Sequence, residues 1–225
     1  MENKSKLKPV VAVVSTKGGV GKSMITTNLA VAATLDGFKT IIINADFQQS
    51  AIYWNKHRKA NAGLNAIDVY QWDPHKGQLS AALTGIPSWE VAVIDAPGTD
   101  DDKLRSALLA ANTVIVPTTP SLEDFEVLRY ETIPLLQKFA KQFPNRQWNA
   151  RIVVNSWSIM MGLHRDTLKA LSALQSDFEF CTTKLRRLAD YQNARAVGMG
   201  VQEYDPKSNA AKDFANFYTE LKPLL

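Results

Sequence analysis

The nine residues Ser15-Thr16-Lys17-Gly18-Gly19-Val20-Gly21-Lys22-Ser23 constrain this chain more than any other stretch, because they join an apolar run over 10–14 to a helical pattern over 24–35. Glycines let backbone N–H groups close around an anion, and the start of a helix adds its dipole. A strand, a glycine-rich turn and a helix in that order therefore make a phosphate-binding loop. In this reading Lys22 reaches the β- and γ-phosphates and the Ser23 hydroxyl sits on Mg²⁺. A βα turn without a ligand is the plainer alternative, and the Lys-Ser pair directly after the glycines argues against it.

The loop departs from the common G-x-x-x-x-G-K-[ST] form. Thr16 stands where the first glycine belongs, and a second lysine, Lys17, stands at the loop entrance. The pattern resembles the deviant Walker A motif, K-G-G-x-G-K-[ST], of the ParA/MinD family of P-loop ATPases, and the resemblance runs from about residue 10 to residue 221. It implies an α/β fold with a doubly wound, mostly parallel sheet flanked by helices, and ATP and Mg²⁺ as cofactors. ATP-binding residues implied here are Lys17, Gly18, Gly19, Val20, Gly21, Lys22, Ser23 and Met24. In that family the early lysine crosses a nucleotide-sandwich dimer to the partner's phosphates, so Lys17 and Lys22 are expected catalytic groups and the chain an expected ATP-dependent homodimer.

A short apolar run over 40–43 reads as a buried strand. It ends in Asn44-Ala45-Asp46-Phe47-Gln48-Gln49-Ser50, where the family has D-x-D-P-Q. By resemblance Asp46 is the catalytic aspartate that positions water near Mg²⁺, and Gln48 matches too. Asn44 replaces the first aspartate and Phe47 the proline. Asparagine keeps a hydrogen-bonding oxygen but loses the charge, which bears on the hydrolysis rate rather than on binding. Asp46 also fits as a helix cap, and the two roles are compatible. The helix expected over 49–60 carries Trp54 and the basic run Lys56, His57, Arg58, Lys59, as in small plasmid-partition ATPases without an N-terminal DNA-binding domain; His57 reads as a surface residue. Residues 61–88 are the least legible, with an edge strand at 66–71 and a helix at 76–83. The strand 89–95 ends in Asp95, a Walker B arrangement that places Asp95 with Ser23 and Asp46 as metal-site residues, partly through water. Asp100, Asp101 and Asp102 read as helix-start acids.

Beyond a strand at 113–117, residues 118–125 resemble the family's P-x-x-P-S-x-x-D segment near the dimer face. The helix 122–142 has Phe125, Leu128, Ile133, Leu136 and Phe139 as a core stripe. Asn155 ends a strand at 151–155 and either binds adenine or caps 156 onward. Met160 and Met161 suit packing or a contact surface, 163–174 reads as a helix and 178–181 as a strand. Residues 182–195 resemble the family segment whose basic residues hold DNA phosphates, giving Lys184, Arg186, Arg187 and Arg195 as candidates; internal salt bridges are the alternative. Residues 202–211 match the adenine-side loop V-x-E-x-x-P-x-S-x-A-A, which adds Tyr204 and Pro206, and helix 209–221 follows.

At 225 residues and 45% hydrophobic content the chain suits one domain over 1–225, with a polar, lysine-rich stretch at 1–9 expected to be flexible. A single cysteine, Cys181, excludes an internal disulfide and cysteine-held zinc or iron–sulfur clusters. Positions 134–176 carry six basic residues against Asp166 alone, whereas 100–131 carry seven acidic against three basic. Such asymmetry suits a polyanion. No run approaches the ~18 apolar residues of a membrane span. The sequence ends at Leu225, which leaves no room for the basic amphipathic tail of MinD proteins, so a cytoplasmic, nucleoid-associated protein that does not bind membrane is expected. The resemblance implies a slow ATPase, stimulated by a ParB-like or other small adaptor, that holds non-specific DNA and positions a plasmid, chromosome region or protein assembly. A nucleotide-gated regulator or binding module with little hydrolysis, and a P-loop small-molecule kinase, are the other readings.

Overall fold

Runs that are apolar at every position suit strands buried on both faces, and here they build a parallel sheet. The protein is described by a computed structural model over residues 8–144, 146, 148–158, 169 and 178–225. Met160, Met161, the expected helix 163–174 and residues 1–7 lie outside the described residues. Seven described strands form one sheet: β1 (Val10–Val13), β2 (Thr40–Asn44), β3 (Asp68–Gln71), β4 (Val91–Asp95), β5 (Thr113–Thr118), β6 (Asn149–Val154) and β7 (Glu179–Phe180). Their order is β3-β2-β4-β1-β5-β6-β7, with every pairing parallel. The expected α/β, doubly wound architecture is the one that forms, and 66–71 does hold an edge strand.

The described helices are α1 (Lys22–Leu35), α2 (Ser50–Lys59), α3 (Leu79–Gly85), α4 (Asp102–Ala110), α5 (Leu122–Val127), α6 (Ile133–Gln142), α7 (Asp190–Ala196), α8 (Val201–Tyr204) and α9 (Asn209–Leu221). Alternate strand residues feed two cores. Val10, Ala12 and Val14 pack with Leu104, Leu108, Leu136 and Phe139 on one face; Val11 and Val13 pack with Ile25, Leu29, Phe214 and Phe217 on the other. None of the described helices is long and apolar enough to cross a membrane.

The helix expected over 122–142 is interrupted. Helix α5 passes into α6 through a π-helical turn, Leu128–Thr132. The buried stripe steps by five between Leu128 and Ile133, which is the i→i+5 spacing of such a turn. The Thr132 hydroxyl meets the Thr16 hydroxyl at 2.8 Å and so fastens the turn to the phosphate loop.

From β1 the chain moves to β2 and β3 on one side of the sheet, and from β5 to β6 and β7 on the other. Loops after β1 and β5 therefore part at their carboxyl ends, where doubly wound sheets bind ligands. Register sets Asn44 and Val13 each beside Asp95, so the loops after β1, β2 and β4 emerge at one edge.

Candidate functional site

The glycine-rich loop leaves β1 and turns directly into α1. Gly21 adopts φ 96°, and a Cβ there would lie 2.2 Å from Asn155 Nδ2, so the position requires glycine. Asn155, buried at the end of β6, donates Nδ2 to the Val20 carbonyl at 2.8 Å and clamps the loop to the sheet. Its amide nitrogen is thus engaged with the loop, not with the chain from 156 onward. Lys22 is buried, and its Nζ donates to the Lys17 carbonyl at 2.9 Å. Burial lowers its pKa, against the opposing pull of Asp95 and Asp46.

Asp95 is fully buried, and burial pushes its carboxyl up to about 6, opposed by hydrogen bonding from Ser23. Oδ1 accepts from Thr26 Oγ1 at 3.5 Å, whereas Oδ2 has no partner. An orphaned carboxylate oxygen beside Ser23 and Lys22 fits magnesium, a hard cation that takes oxygen ligands directly or through water. A carboxyl whose pKa rises on folding adds stability below its unfolded value near 4, and that contribution is lost as pH rises through 6. Asp95→Asn is therefore expected to stabilise the unliganded protein at pH 7 by on the order of 2–3 kcal/mol, with the gain vanishing toward pH 4. Urea melts of the two proteins across that range check this; coincident melts at pH 7 would show that the carboxylate carries no desolvation penalty.

Asn44 is fully buried, and its Nδ2 donates to the Asp46 carbonyl at 2.6 Å and to Gln71 Oε1 at 2.7 Å, while Oδ1 has no partner. The amide thus holds the turn that carries Asp46, and an aspartate there would lose both donations. Asp46 Oδ1 accepts from the Gln48 N–H at 3.0 Å. The cap position of α2 is Gln49 in the left-handed region, so Asp46 steadies its own turn and does not cap that helix.

Two cavities meet over the loop glycines. The larger, about 620 Å³, is bordered by Met24, Asn155, Ser156, Leu188 and Tyr191. The smaller, about 500 Å³, is bordered by Lys22, Ser23, Asp46, Phe47 and Gly98. Both volumes are in the range of small-molecule sites.

Not every expected site residue gathers there. Lys17 is folded onto its own chain, where Nζ donates to Glu123 and lies 4.0 Å from Asp124; the Glu123 bond raises its pKa. Tyr204 and Pro206 are exposed and border neither cavity, whereas Ser156, Leu188 and Tyr191 border the larger one. Of the four basic candidates for DNA, Arg186, Arg187 and Arg195 border the larger cavity together. Arg186, half-buried, donates from Nε and Nη2 to Asp213 at 2.7 Å each, the salt-bridged arrangement that was the alternative for it. Lys184 is exposed, while Arg187 and Arg195 are exposed at the larger cavity. Asp101 caps α4 and Asp100 pairs with Arg105, as helix-start acids do.

Sequence reading missed Arg58, which is 2% exposed and bonds Glu203 through two contacts of 2.8 Å. Its Nη1 also donates to the Gly198 carbonyl, and Trp54 Nε1 donates to the Met199 carbonyl. These bonds fasten α2 to the turn before α8. The signal was present: Arg58 lies four residues after Trp54, on the same buried helix face.

The sequence matches the family described as the CobQ/CobB/MinD/ParA nucleotide binding domain over residues 11–216. The maintenance of carboxysome distribution protein A of Halothiobacillus neapolitanus is 25% identical over 207 residues, 92% of each chain. Cell division protein PomZ of Myxococcus xanthus is 28% identical, covering 93% of this chain and 76% of that protein. The septum site-determining protein MinD from Pyrococcus horikoshii, in a structure complexed with Mg-ADP, shares the fold with a TM-score of 0.68 at 17% identity over 96% of each chain. The present chain's glycine-rich loop, buried strand-end Asp95 and parallel sheet agree with the family match, and the chain belongs to the CobQ/CobB/MinD/ParA family of nucleotide-binding domains.

Proposed function

We propose that residues 1–225 act as one ATPase domain that binds ATP and Mg²⁺, closes as a nucleotide-sandwich homodimer, holds DNA non-specifically in that state and releases it after hydrolysis. The observation that carries this reading is the convergence of Lys22, Ser23, Asp46 and the orphaned Asp95 Oδ2 on one side of the glycine loop. Loop amides and Lys22 hold phosphate oxygens. Ser23 and Asp95 would hold the magnesium ion, which supplies charge neutralisation at the phosphates. The Asp46 carboxylate accepts a hydrogen bond from water and aims it for in-line attack. Lys17 serves a partner protomer's phosphates, and to do so it must leave Glu123; dimerisation exchanges one ion pair for another.

The named roles of the relatives, carboxysome distribution and cell division, favour a cytoplasmic, nucleoid-associated positioning function. A ParB-like or other small adaptor would stimulate turnover. Lys184, Arg186, Arg187 and Arg195 are the candidates for a DNA surface that salt weakens.

Light scattering with ADP, ATP and a non-hydrolysable analogue, with and without duplex DNA at two salt concentrations, tests this. A dimer is expected only with ATP or the analogue, Lys17→Ala is expected to stay monomeric, and Asp46→Ala to persist as a dimer with phosphate release lowered about a hundredfold. A monomer in every nucleotide overturns the reading. A nucleotide-gated binding module with little hydrolysis is the second reading, favoured by the neutral Asn44 amide, and phosphate release separates the two.

A further inference from the structure

We infer that Arg195 is a phosphate ligand of the nucleotide bound by its own chain. The inference rests on reading the paired cavities as an ATP site. A nucleoside triphosphate with its base in the larger cavity and its terminal phosphate beside Lys22 must run its phosphate chain across the boundary between the two. Five residues border both: Gly18, Gly19, Gly21, Met24 and Arg195. Arg195 is the charged one among them.

The backbone beneath Arg195 is held firmly. It lies in the last turn of α7, whose Tyr191 and Ala194 are buried. The chain that follows is fixed against α2 through Arg58 to the Gly198 carbonyl and Trp54 to the Met199 carbonyl. Arg195 also lines a third cavity, shared with Tyr53 and His57 of α2. The neighbouring Arg186 shows what an arginine occupied within the fold looks like, with two 2.7 Å bonds to Asp213. Arg195 is exposed, and among the described residues no carboxylate pairs with it.

Loop amides and Lys22 approach a phosphate chain from the β1–α1 side. Arg195 approaches from α7, on the open side, with a planar guanidinium that matches two phosphate oxygens at once. A guanidinium so engaged is unavailable to DNA while nucleotide is bound. Arg195 therefore leaves the set of DNA contacts and joins Lys22 as a second cation on the phosphates.

Equilibrium binding of fluorescent ADP and ATP to wild type, Arg195→Ala and Arg195→Lys tests the assignment. ADP is measured under conditions where light scattering reports a monomer, so that a contact to a partner's nucleotide does not contribute. The alanine variant is expected to bind both nucleotides about tenfold to a hundredfold more weakly, and lysine to restore part of the loss. Unliganded melting should be unchanged, because the side chain is exposed, and DNA retention at saturating ATP should equal wild type. Affinities within about twofold of wild type, or loss of DNA retention at saturating ATP with intact nucleotide affinity, overturn the inference. Absence of nucleotide binding by the wild-type protein itself would overturn the ATPase reading as well, which keeps the two failures apart.

Discussion

Lys22→Ala is expected to weaken binding of both ATP and ADP more than about a hundredfold while the protein stays folded. In the unliganded protein the Lys22 ammonium makes one described hydrogen bond, to the Lys17 carbonyl, and burial lowers its pKa. The fold thus draws little stability from it. A phosphate oxygen offers a direct charged acceptor in place of the Lys17 carbonyl. Hydrogen bonds between charged groups contribute about 1.5–3 kcal/mol each, and contacts to two phosphates put the expected loss of affinity above about a hundredfold. Calorimetric titration with each nucleotide, alongside far-UV circular dichroism, reads both halves of this. Wild-type affinity in a folded Lys22→Ala protein would remove the nucleotide from this cavity.

Gly198→Ala is expected to lower stability by about 3 kcal/mol or more. Gly198 adopts φ +72°, and a Cβ there would lie 2.1 Å from the Arg58 backbone nitrogen and 2.5 Å from its Cα. Neither atom is the end of a flexible side chain, so α2 and the turn before α8 must separate. Separation breaks the Arg58 bond to the Gly198 carbonyl and strains the pairing of Arg58 with Glu203, at 2% and 9% exposure. Leaving a buried arginine without its acid is among the costlier single changes a fold can suffer. Urea unfolding followed by tryptophan fluorescence measures the effect; a loss below about 1 kcal/mol would mean that the two segments yield freely.

The parts of the site that a local pattern specifies were legible in the sequence. Strand β1, the glycine loop, Lys22, Ser23 and the strand-end Asp95 are each set by neighbours within a few residues, and the structure brings them together. Parts set by distant partners were not legible. Glu123 is 106 positions from Lys17, and Asp213 is 27 from Arg186, so nothing local announces either ion pair. The motif that singles out Tyr204 and Pro206 says nothing about which way the segment faces, and both stand exposed outside the two cavities. Arg58 was hidden in a run of four basic residues that reads as solvated, although only the position in phase with Trp54 turns inward. The π-helical turn lies between these cases, since the five-residue step from Leu128 to Ile133 was visible in the stripe but a regular helix was the simpler fit.

That turn bears on how the chain length can be edited. A step of four would also bring Ile133, Leu136 and Phe139 into phase with Phe125 and Leu128, so the spacing of the buried stripe alone does not call for the longer turn. The visible return of that turn is the Thr132 hydroxyl at Thr16, one position before Lys17. Insertion or deletion in this short stretch adjusts the clasp on the phosphate loop, which makes helix length, rather than any side chain of the loop itself, a place where chains of this fold can retune their nucleotide site.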